Sequence, residues 1–292
     1  MTSNGIIRTI RLLFAFVTIM MTSCSIYDEY PHRMQYDVVL RVADSTGQVL
    51  PDSVASVTTL YAFKNGVYYG KYTTEADGKI HIVFRDDDSI TFVAATGGKP
   101  GEYDMKEPQM GETINNLFFQ LHTDIDSVSS APSAIYYGSL STTVKDDNLA
   151  DERIIYLKDM RAKARVYVRG LRSRHGLGNY RVVLKGLHSG ITYKGEPGGT
   201  YVSYSLPGKF VTQDDWVTQP AIVLPTGSEP VRLQIYKQDG TLILDSKVDE
   251  NGKPLLIHSG DDIVFYVVVD YILDTTIRVL PFDDINNSFT FE

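Results

Sequence analysis

The segment VTTLYAFKNGVYYGKYTT, residues 57–74, decides the fold. Two strand-like runs rich in aromatic residues flank the pair Asn65-Gly66. An Asn-Gly pair accommodates the positive φ angles of a type I′ turn and is the strongest short signal of a β-hairpin. The segment therefore predicts two antiparallel strands joined by a tight turn at residues 65–66.

The same pattern continues on both sides of this hairpin. Residues 36–42 alternate apolar and polar side chains, and Asp77-Gly78 predicts the turn before the alternating residues 80–84. Residues 96–113 are rich in Gly and Pro, which predicts a long loop. Further strand-like segments are SITFVAATG, INNLFFQLH, SAIYYGSLST, RAKARVYVRGL, YRVVLKGL, YVSYS, AIVL, PVRLQIYK, TLILDSKV, DIVFYVVVD, TIRVLPF and NSFTFE.

The spacing of these segments predicts the fold class. Strands that recur every 8–12 residues, with explicit turns between them, are typical of sandwiches and barrels. Helical periodicity is nearly absent, and 292 residues are more than one small sandwich needs. The charged, unpatterned residues 145–148 mark a boundary. We predict an all-β protein with two β-sandwich domains, residues 35–146 and 147–292.

The N-terminus has the three parts of an export signal. Arg8 and Arg11 are the only charges before Cys24, and residues 12–21 form an apolar run of ten. That run is about half of the roughly 20 residues a membrane-spanning helix requires. Small residues then precede the chain's single cysteine. We predict a signal peptide over residues 1–23 and a lipidated tether over residues 24–34.

Cys24 is the predicted lipid-attachment residue. An exported chain with one cysteine has no internal disulfide partner, and acylation gives that thiol a role. Met21 stands where a bacterial lipobox usually has Leu, and an ordinary secretory signal or a buried thiol are the alternatives. Two or more acyl chains anchor a protein stably. Ser25 favours the outer membrane, and Asp28-Glu29 resembles tags for its exposed face.

Composition and motifs exclude several functions. The net charge of −8 argues against binding to nucleic acid, which rewards clustered cations. The six histidines lack metal-ligand spacing, and neither a phosphate-binding loop nor a nucleophile elbow occurs. Residues 86–88 are three aspartates, which favour a solvated hairpin end over a calcium site. We predict no catalytic residue, metal or cofactor.

A cationic strand is the strongest positive patch of the chain. Residues 161–171, RAKARVYVRGL, alternate small apolar residues with cations, as a half-exposed antiparallel strand requires. The cationic face is either a solvated surface or a docking surface for an acidic partner. The sole tryptophan, Trp216, fits a core or domain-interface position better than a binding platform. The candidate docking residues are Arg161, Lys163, Arg165 and Arg169.

The order of these signals resembles the fimbrium-anchoring, minor-subunit lipoproteins of Bacteroides-type (type V) pili over nearly the whole chain after Cys24. The resemblance implies two transthyretin-like β-sandwiches without enzyme activity. It also implies an outer-membrane lipoprotein that attaches the fimbrial shaft to the cell surface and limits its length. The segments that carry it are LYAFKNGVYYGKYTTEADGKI, SAIYYGSLST, RAKARVYVRGL and YRVVLKGLHSGITYKGE, together with the lipobox.

The resemblance also implies partners. These are fimbrial shaft or accessory pilin subunits, bound by strand addition, and the outer membrane, entered by acyl chains. Residues 287–291 and the cationic strand are candidate docking elements, although each can instead be satisfied internally. The alternative function is a surface glycan-binding lipoprotein or adhesin, because Tyr68-Tyr69 and Tyr136-Tyr137 could stack on sugars. An enzyme is a third hypothesis without a supporting motif.

Overall fold

A computed structural model describes residues 35–43, 48, 59–73, 79–83, 89–97, 101–123, 132–143, 153–270 and 275–283. These residues form twenty β-strands and one helix, α1 (Leu171–His175), which confirms the all-β class. The strands are β1 (Gln35–Ala43), β2 (Thr59–Lys64), β3 (Val67–Tyr72), β4 (Lys79–Val83), β5 (Ser89–Gly97), β6 (Tyr103–Met105), β7 (Leu117–Leu121), β8 (Ile135–Thr143), β9 (Arg153–Tyr156), β10 (Lys158–Asp159), β11 (Ala162–Arg169), β12 (Tyr180–Thr192), β13 (Pro197–Leu206), β14 (Gly208–Phe210), β15 (Asp215–Thr218), β16 (Ala221–Val223), β17 (Arg232–Lys237), β18 (Leu242–Ser246), β19 (Asp262–Val268) and β20 (Thr276–Pro281).

The hairpin predicted from Asn65-Gly66 is confirmed as β2 and β3. Asn65 has φ 49° and Gly66 has φ 78°, the left-handed values that a type I′ turn needs. The turn is held against the next strand, because the Asn65 amide donates to the Ser89 carbonyl at 2.7 Å. The Asn65 side chain also accepts from the Ser89 amide at 3.0 Å. Asn65 therefore stabilises the turn and also ties it to the start of β5.

The first sandwich contains a three-stranded sheet, β4-β1-β9, and a five-stranded sheet, β10-β8-β5-β2-β3. The strand β9 runs parallel to β1, and the chain then passes at Leu157 into β10 of the other sheet. The centre of the five-stranded sheet, at β2 and β5, is buried on both faces. Ala62 and Phe92 are buried on one face, and Phe63 and Val93 are buried on the other. This sheet is therefore an inner layer of the molecule.

The second sandwich consists of two six-stranded sheets. One has the order β14-β15-β11-β19-β20 with β16 beside β11, and the other has the order β18-β17-β12-β7-β6 with β13 beside β12. Their inward side chains form the largest hydrophobic cluster described. Trp216 lies in this core at 2% exposure, which confirms its predicted core position. Its ring packs over Gly208, where an added Cβ would lie 2.5 Å from it.

Strands from the N-terminal part of the chain enter the second sandwich. The strand β7 pairs antiparallel with the end of β12, where Gln120 faces Gly190 and Phe119 faces Ile191. The segment predicted as a loop at residues 96–113 contains β6, which pairs with β7. Hydrophobic spacing could not show β6, because it is three residues long. The predicted boundary at residues 146 and 147 lies outside the described residues and stays a prediction.

A second hydrophobic cluster joins the two sandwiches. It packs side chains of β2, β5 and β8 against side chains of β6, β7 and the end of β12. Tyr193 lies at its centre, with its ring centroid 5.7 Å from Tyr61 and 5.3 Å from Phe118. The Tyr137 hydroxyl donates to the Tyr193 carbonyl at 2.7 Å. Edge-to-face and tilted rings of this kind add to the burial of apolar area.

Candidate docking surfaces

Two predicted functional elements lie outside the described residues. These are Cys24, with the rest of the signal and tether, and the final strand at residues 287–291. Lipid attachment and docking through the final strand therefore stay predictions. Within the described ranges, no helix is long and apolar enough to cross a bilayer. Those ranges also contain no group of three His, Cys, Asp or Glu placed to hold a metal ion.

The cationic strand is β11, and it lies inside its sheet. It runs parallel to β19 on one side and antiparallel to β15 and β16 on the other. Its predicted alternation is confirmed, because Ala162, Ala164, Val166 and Val168 are all buried. Both edges of β11 are paired, which agrees with the alternative that this strand is satisfied internally. Only its outward face is available to a partner.

The cations at the start of this face have acidic partners in the same chain. Arg161 forms a bidentate pair with Asp159, with Nη2 to Oδ2 at 2.7 Å and Nε to Oδ1 at 3.0 Å. Arg161 Nη1 also donates to the Pro132 carbonyl at 3.0 Å. Lys163 pairs with Asp262 at 3.5 Å. These contacts neutralise the first half of the stripe.

The remaining two cations are also in contact with their own chain. The Arg165 guanidinium lies 3.7 Å from the centroid of the Phe282 ring, a cation–π arrangement. Arg169 Nε lies 3.6 Å from Asp215 Oδ1. The docking role of the four cations stays a prediction, and the structure gives each of them an internal partner. The sequence could not show this, because Asp215, Asp262 and Phe282 are distant along the chain.

Most free sheet edges among the described strands carry protection against further pairing. The strands β6, β10 and β14 have only two or three residues, and short edges offer few hydrogen bonds. The edge of β20 is capped, because the Glu250 amide donates to the Ile277 carbonyl at 2.8 Å and Pro281 lacks an amide hydrogen.

Further edges are covered, charged or short. The start of β3 is covered by the residues around Glu112, whose carbonyl accepts from the Tyr68 amide at 2.8 Å. The strand β4 is five residues long, and β18 is five residues long and carries Asp245. Charged side chains on edge strands discourage unwanted pairing.

The strand β13 differs from all of these edges. It is ten residues long, PGGTYVSYSL, and contains no charged residue. One of its edges pairs with β12, and no other described strand pairs with the opposite edge. Three residues at its centre, Gly199, Thr200 and Tyr201, are exposed. The sequence predicted a strand here but not its edge position. The available signal was a ten-residue run without charge that contains Gly198-Gly199.

The backbone direction of β13 is fixed by one hydrogen bond. The Thr200 amide donates to Ser189 Oγ of β12 at 3.0 Å, so the backbone groups of Thr200 point toward β12. Successive residues of a strand alternate in direction. The amides and carbonyls of Tyr201 and Ser203 therefore point away from β12. No described strand pairs with these groups.

Known structures share the fold of this chain. The fimbrial anchor protein Mfa2 from Porphyromonas gingivalis superposes with a TM-score of 0.58 at 16% identity, covering 85% of this chain and 97% of Mfa2. A candidate adhesin from Bacteroides ovatus gives 0.53 at 10% identity, covering 88% of this chain and 96% of its own. A candidate polysaccharide-binding protein from Bacteroides thetaiotaomicron gives 0.51 at 14% identity, covering 86% and 99%.

The family comparison is more specific than the shared fold. A search of curated protein sequences finds no significant match. The model of the fimbrillin-A associated anchor proteins Mfa1 and Mfa2 matches residues 36–285. The match spans most of the chain and includes both sandwiches, and the chain therefore belongs to the family of fimbrillin-A associated anchor proteins.

Proposed function

We propose that this protein is a lipid-anchored outer-membrane subunit that attaches a fimbrial shaft to the cell surface and limits its length. The acyl chains on Cys24 hold the N-terminal end at the membrane. The free edge of β13 receives an extended strand from a shaft or accessory subunit. The protein works by binding, without a catalytic step.

The uncharged edge of β13, with which no described strand pairs, is the observation that carries the proposal. Strand addition obtains affinity from main-chain hydrogen bonds and specificity from alternate side chains. A partner strand placed here would meet the outward amides of Tyr201 and Ser203. Natural proteins block long edges that have no partner. The family match supports a fimbrial subunit as the source of the added strand.

Deletion of the gene tests the anchoring role directly. In a fimbriated producing strain, deletion is expected to release shafts into the medium or to change their length. The measurement is the amount of shaft protein in medium and cell fractions, together with shaft length by electron microscopy. Fimbriae that remain cell-bound with unaltered length would refute the proposal.

A pair of variants at Ser203 tests the docking edge. Ser203→Pro removes one outward amide and places a ring at the edge, where proline is tolerated because the fold does not use that amide. Ser203→Thr keeps the amide and is the matched control. Only the proline variant should fail to retain shafts when it replaces the wild type in the deletion strain. Equal retention by both variants, with both folded, would exclude this edge.

Cys24→Ala tests the membrane anchor. Without the thiol there is no site for acylation, so the product should be unprocessed or should appear in the soluble fraction. Mass spectrometry of the wild-type protein should show acyl chains on Cys24. Stable membrane retention of the Cys24→Ala protein would contradict lipid anchoring.

A further inference from the structure

A cationic groove crosses the outer face of the second sandwich, beside β13. It has a volume of about 340 Å³, and its lining includes Lys185, Gly186, Tyr201, Glu229, Arg232 and Lys247. Lys185 and Arg232 are register partners on β12 and β17, and the neighbouring Leu184 and Leu233 point into the core. The two cations therefore stand side by side on the outward face. The volume falls within the range of about 300–1,000 Å³ typical of small-ligand sites.

The charge of the groove is opposite to that of the whole chain. Three cations and one carboxylate line it, whereas the chain carries a net charge of −8. Arg232 is fixed in place, because Nη2 donates to Asp245 Oδ2 at 2.6 Å and Nε donates to the other carboxylate oxygen. Lys185 also contributes to the field at Asp245, but that carboxylate is hydrogen-bonded to Arg232. Lys185 and Lys247 are therefore the two lining cations that can turn toward an anion in the groove.

An oriented aromatic ring lies beside these cations. The Tyr201 side chain is 55% exposed, one of the most exposed aromatic residues described. Its ring lies against the imidazole of His188, with the centroids 4.9 Å apart and the planes tilted by 43°. Burial lowers the pKa of His188, which favours the uncharged imidazole under the tyrosine. His188 therefore holds the Tyr201 ring in place, and the exposed part of the ring can contact a ligand.

The backbone widens the groove at Gly186. This residue has φ 83°, and the pairing register between β12 and β13 shifts between Lys185 and Leu187. A bulge of this kind re-aims the neighbouring side chains and commonly lies beside binding sites. An added Cβ on Gly186 would lie 3.7 Å from the Pro230 carbonyl and would fill part of the groove.

We propose that this groove binds a carboxylate-bearing saccharide, the repeating unit of a uronic-acid polysaccharide. Tyr201 stacks on the apolar face of the sugar ring, and Lys185, Lys247 and Arg232 bind the carboxylate. Glu229 accepts hydrogen bonds from hydroxyl groups. An acidic peptide such as poly-glutamate would satisfy the cations but has no sugar ring whose C–H face can lie on Tyr201, so the combination favours a sugar acid. This function is independent of shaft anchoring.

The test is affinity electrophoresis of the full-length purified protein in gels that contain polygalacturonate. The neutral polymer pullulan and the acidic peptide poly-glutamate serve as comparison matrices. Polygalacturonate is expected to retard the protein, and the other two are not. Tyr201→Ala and the pair Lys185→Gln with Lys247→Gln should each weaken the interaction about tenfold. The pair Lys209→Gln with Lys253→Gln removes the same charge elsewhere and should have no effect.

Three results would overturn the proposal. The first is no retardation by polygalacturonate. The second is equal weakening by both lysine pairs, which would indicate non-specific charge attraction. The third is retardation by poly-glutamate that is unchanged in the Tyr201→Ala variant, which would assign the groove to an acidic peptide. The variant with Lys185→Gln and Lys247→Gln should retain shafts as the wild type does. If the saccharide proposal fails, the anchoring proposal is therefore unaffected.

Discussion

Gly195 shows how one missing side chain permits the contact between the two sandwiches. Its φ is 82°, and an added Cβ would lie 2.5 Å from the Tyr137 ring. Tyr137 is 7% exposed and donates to the Tyr193 carbonyl. The absence of a side chain at residue 195 therefore lets the Tyr137 ring reach the end of β12.

We expect Gly195→Ala to destabilise the protein by more than backbone strain alone. Alanine in the left-handed region costs about 1–2 kcal/mol, and overpacking adds about 1–3 kcal/mol. The matched control is Gly240→Ala, which has φ 87° but no atom within 4 Å of the added Cβ. Urea unfolding measures both free energies, and equal losses would show that the Tyr137 contact does not matter.

Asp245 gives the protein a pH-dependent contribution to stability. Hydrogen bonds from Arg232, with further help from Gln234, hold the pKa of this carboxyl below its ordinary value. The folded state therefore prefers the ionised carboxylate more than the unfolded state does. The stabilisation is complete above the ordinary carboxyl pKa of about 3.9 and is lost as the pH falls through the lowered pKa.

Asp245→Asn is therefore expected to lower the urea midpoint at about pH 7 and to have less effect at about pH 3. The control is the same substitution in an Arg232→Gln background, where the cationic partner is already gone. There the pH dependence of the difference should shrink, because only Gln234 and Lys185 still favour the ionised carboxylate. A loss that stays constant with pH in the wild-type background would contradict the role of the ion pair.

At the scale of single elements, β11 separates what the sequence could predict from what it could not. Period-two alternation predicted its buried face at Ala162, Ala164, Val166 and Val168. Its position inside the sheet and the partners of its cations depend on β15 and β19, which follow much later in the chain. The same limit applies to β13, since alternation predicts a strand but not which neighbour is missing.

The contact between Arg165 and Phe282 gives a prediction for β11. Arg165→Gln removes the cation over the ring and is expected to cost about 1 kcal/mol of unfolding free energy. Arg165→Lys keeps the charge and should lose less. Thermal and urea unfolding of both variants provide the measurement, and identical losses would indicate that packing of the side chain, not its charge, stabilises this face.

At the scale of the whole molecule, the two sandwiches are interleaved along the chain and share a hydrophobic cluster. The sequence predicted two sandwiches from length and turn spacing. It did not predict that β6 and β7 belong to the sheet of β12 in the second sandwich. Alternation identifies a strand but does not show which strand it pairs with. The aromatic cluster around Tyr193 then buries side chains from both sandwiches together.

The shared core predicts cooperative unfolding. Calorimetry of the wild type should show one transition for both sandwiches. Phe118→Ala, at a position 1% exposed, should cost about 3–5 kcal/mol and shift the whole transition. Leu177→Ala, at a position 73% exposed, is the control and should stay within about 0.5 kcal/mol. Two separate transitions, of which Phe118→Ala moves only one, would contradict this prediction.

The crossing of β6 and β7 also determines how the molecule would carry tension. The chain passes between the sandwiches three times, after β5, after β7 and after β10. Pulling the two ends of the molecule apart therefore cannot simply straighten a linker. It stretches three connections side by side and must also pull apart the buried aromatic side chains around Tyr193.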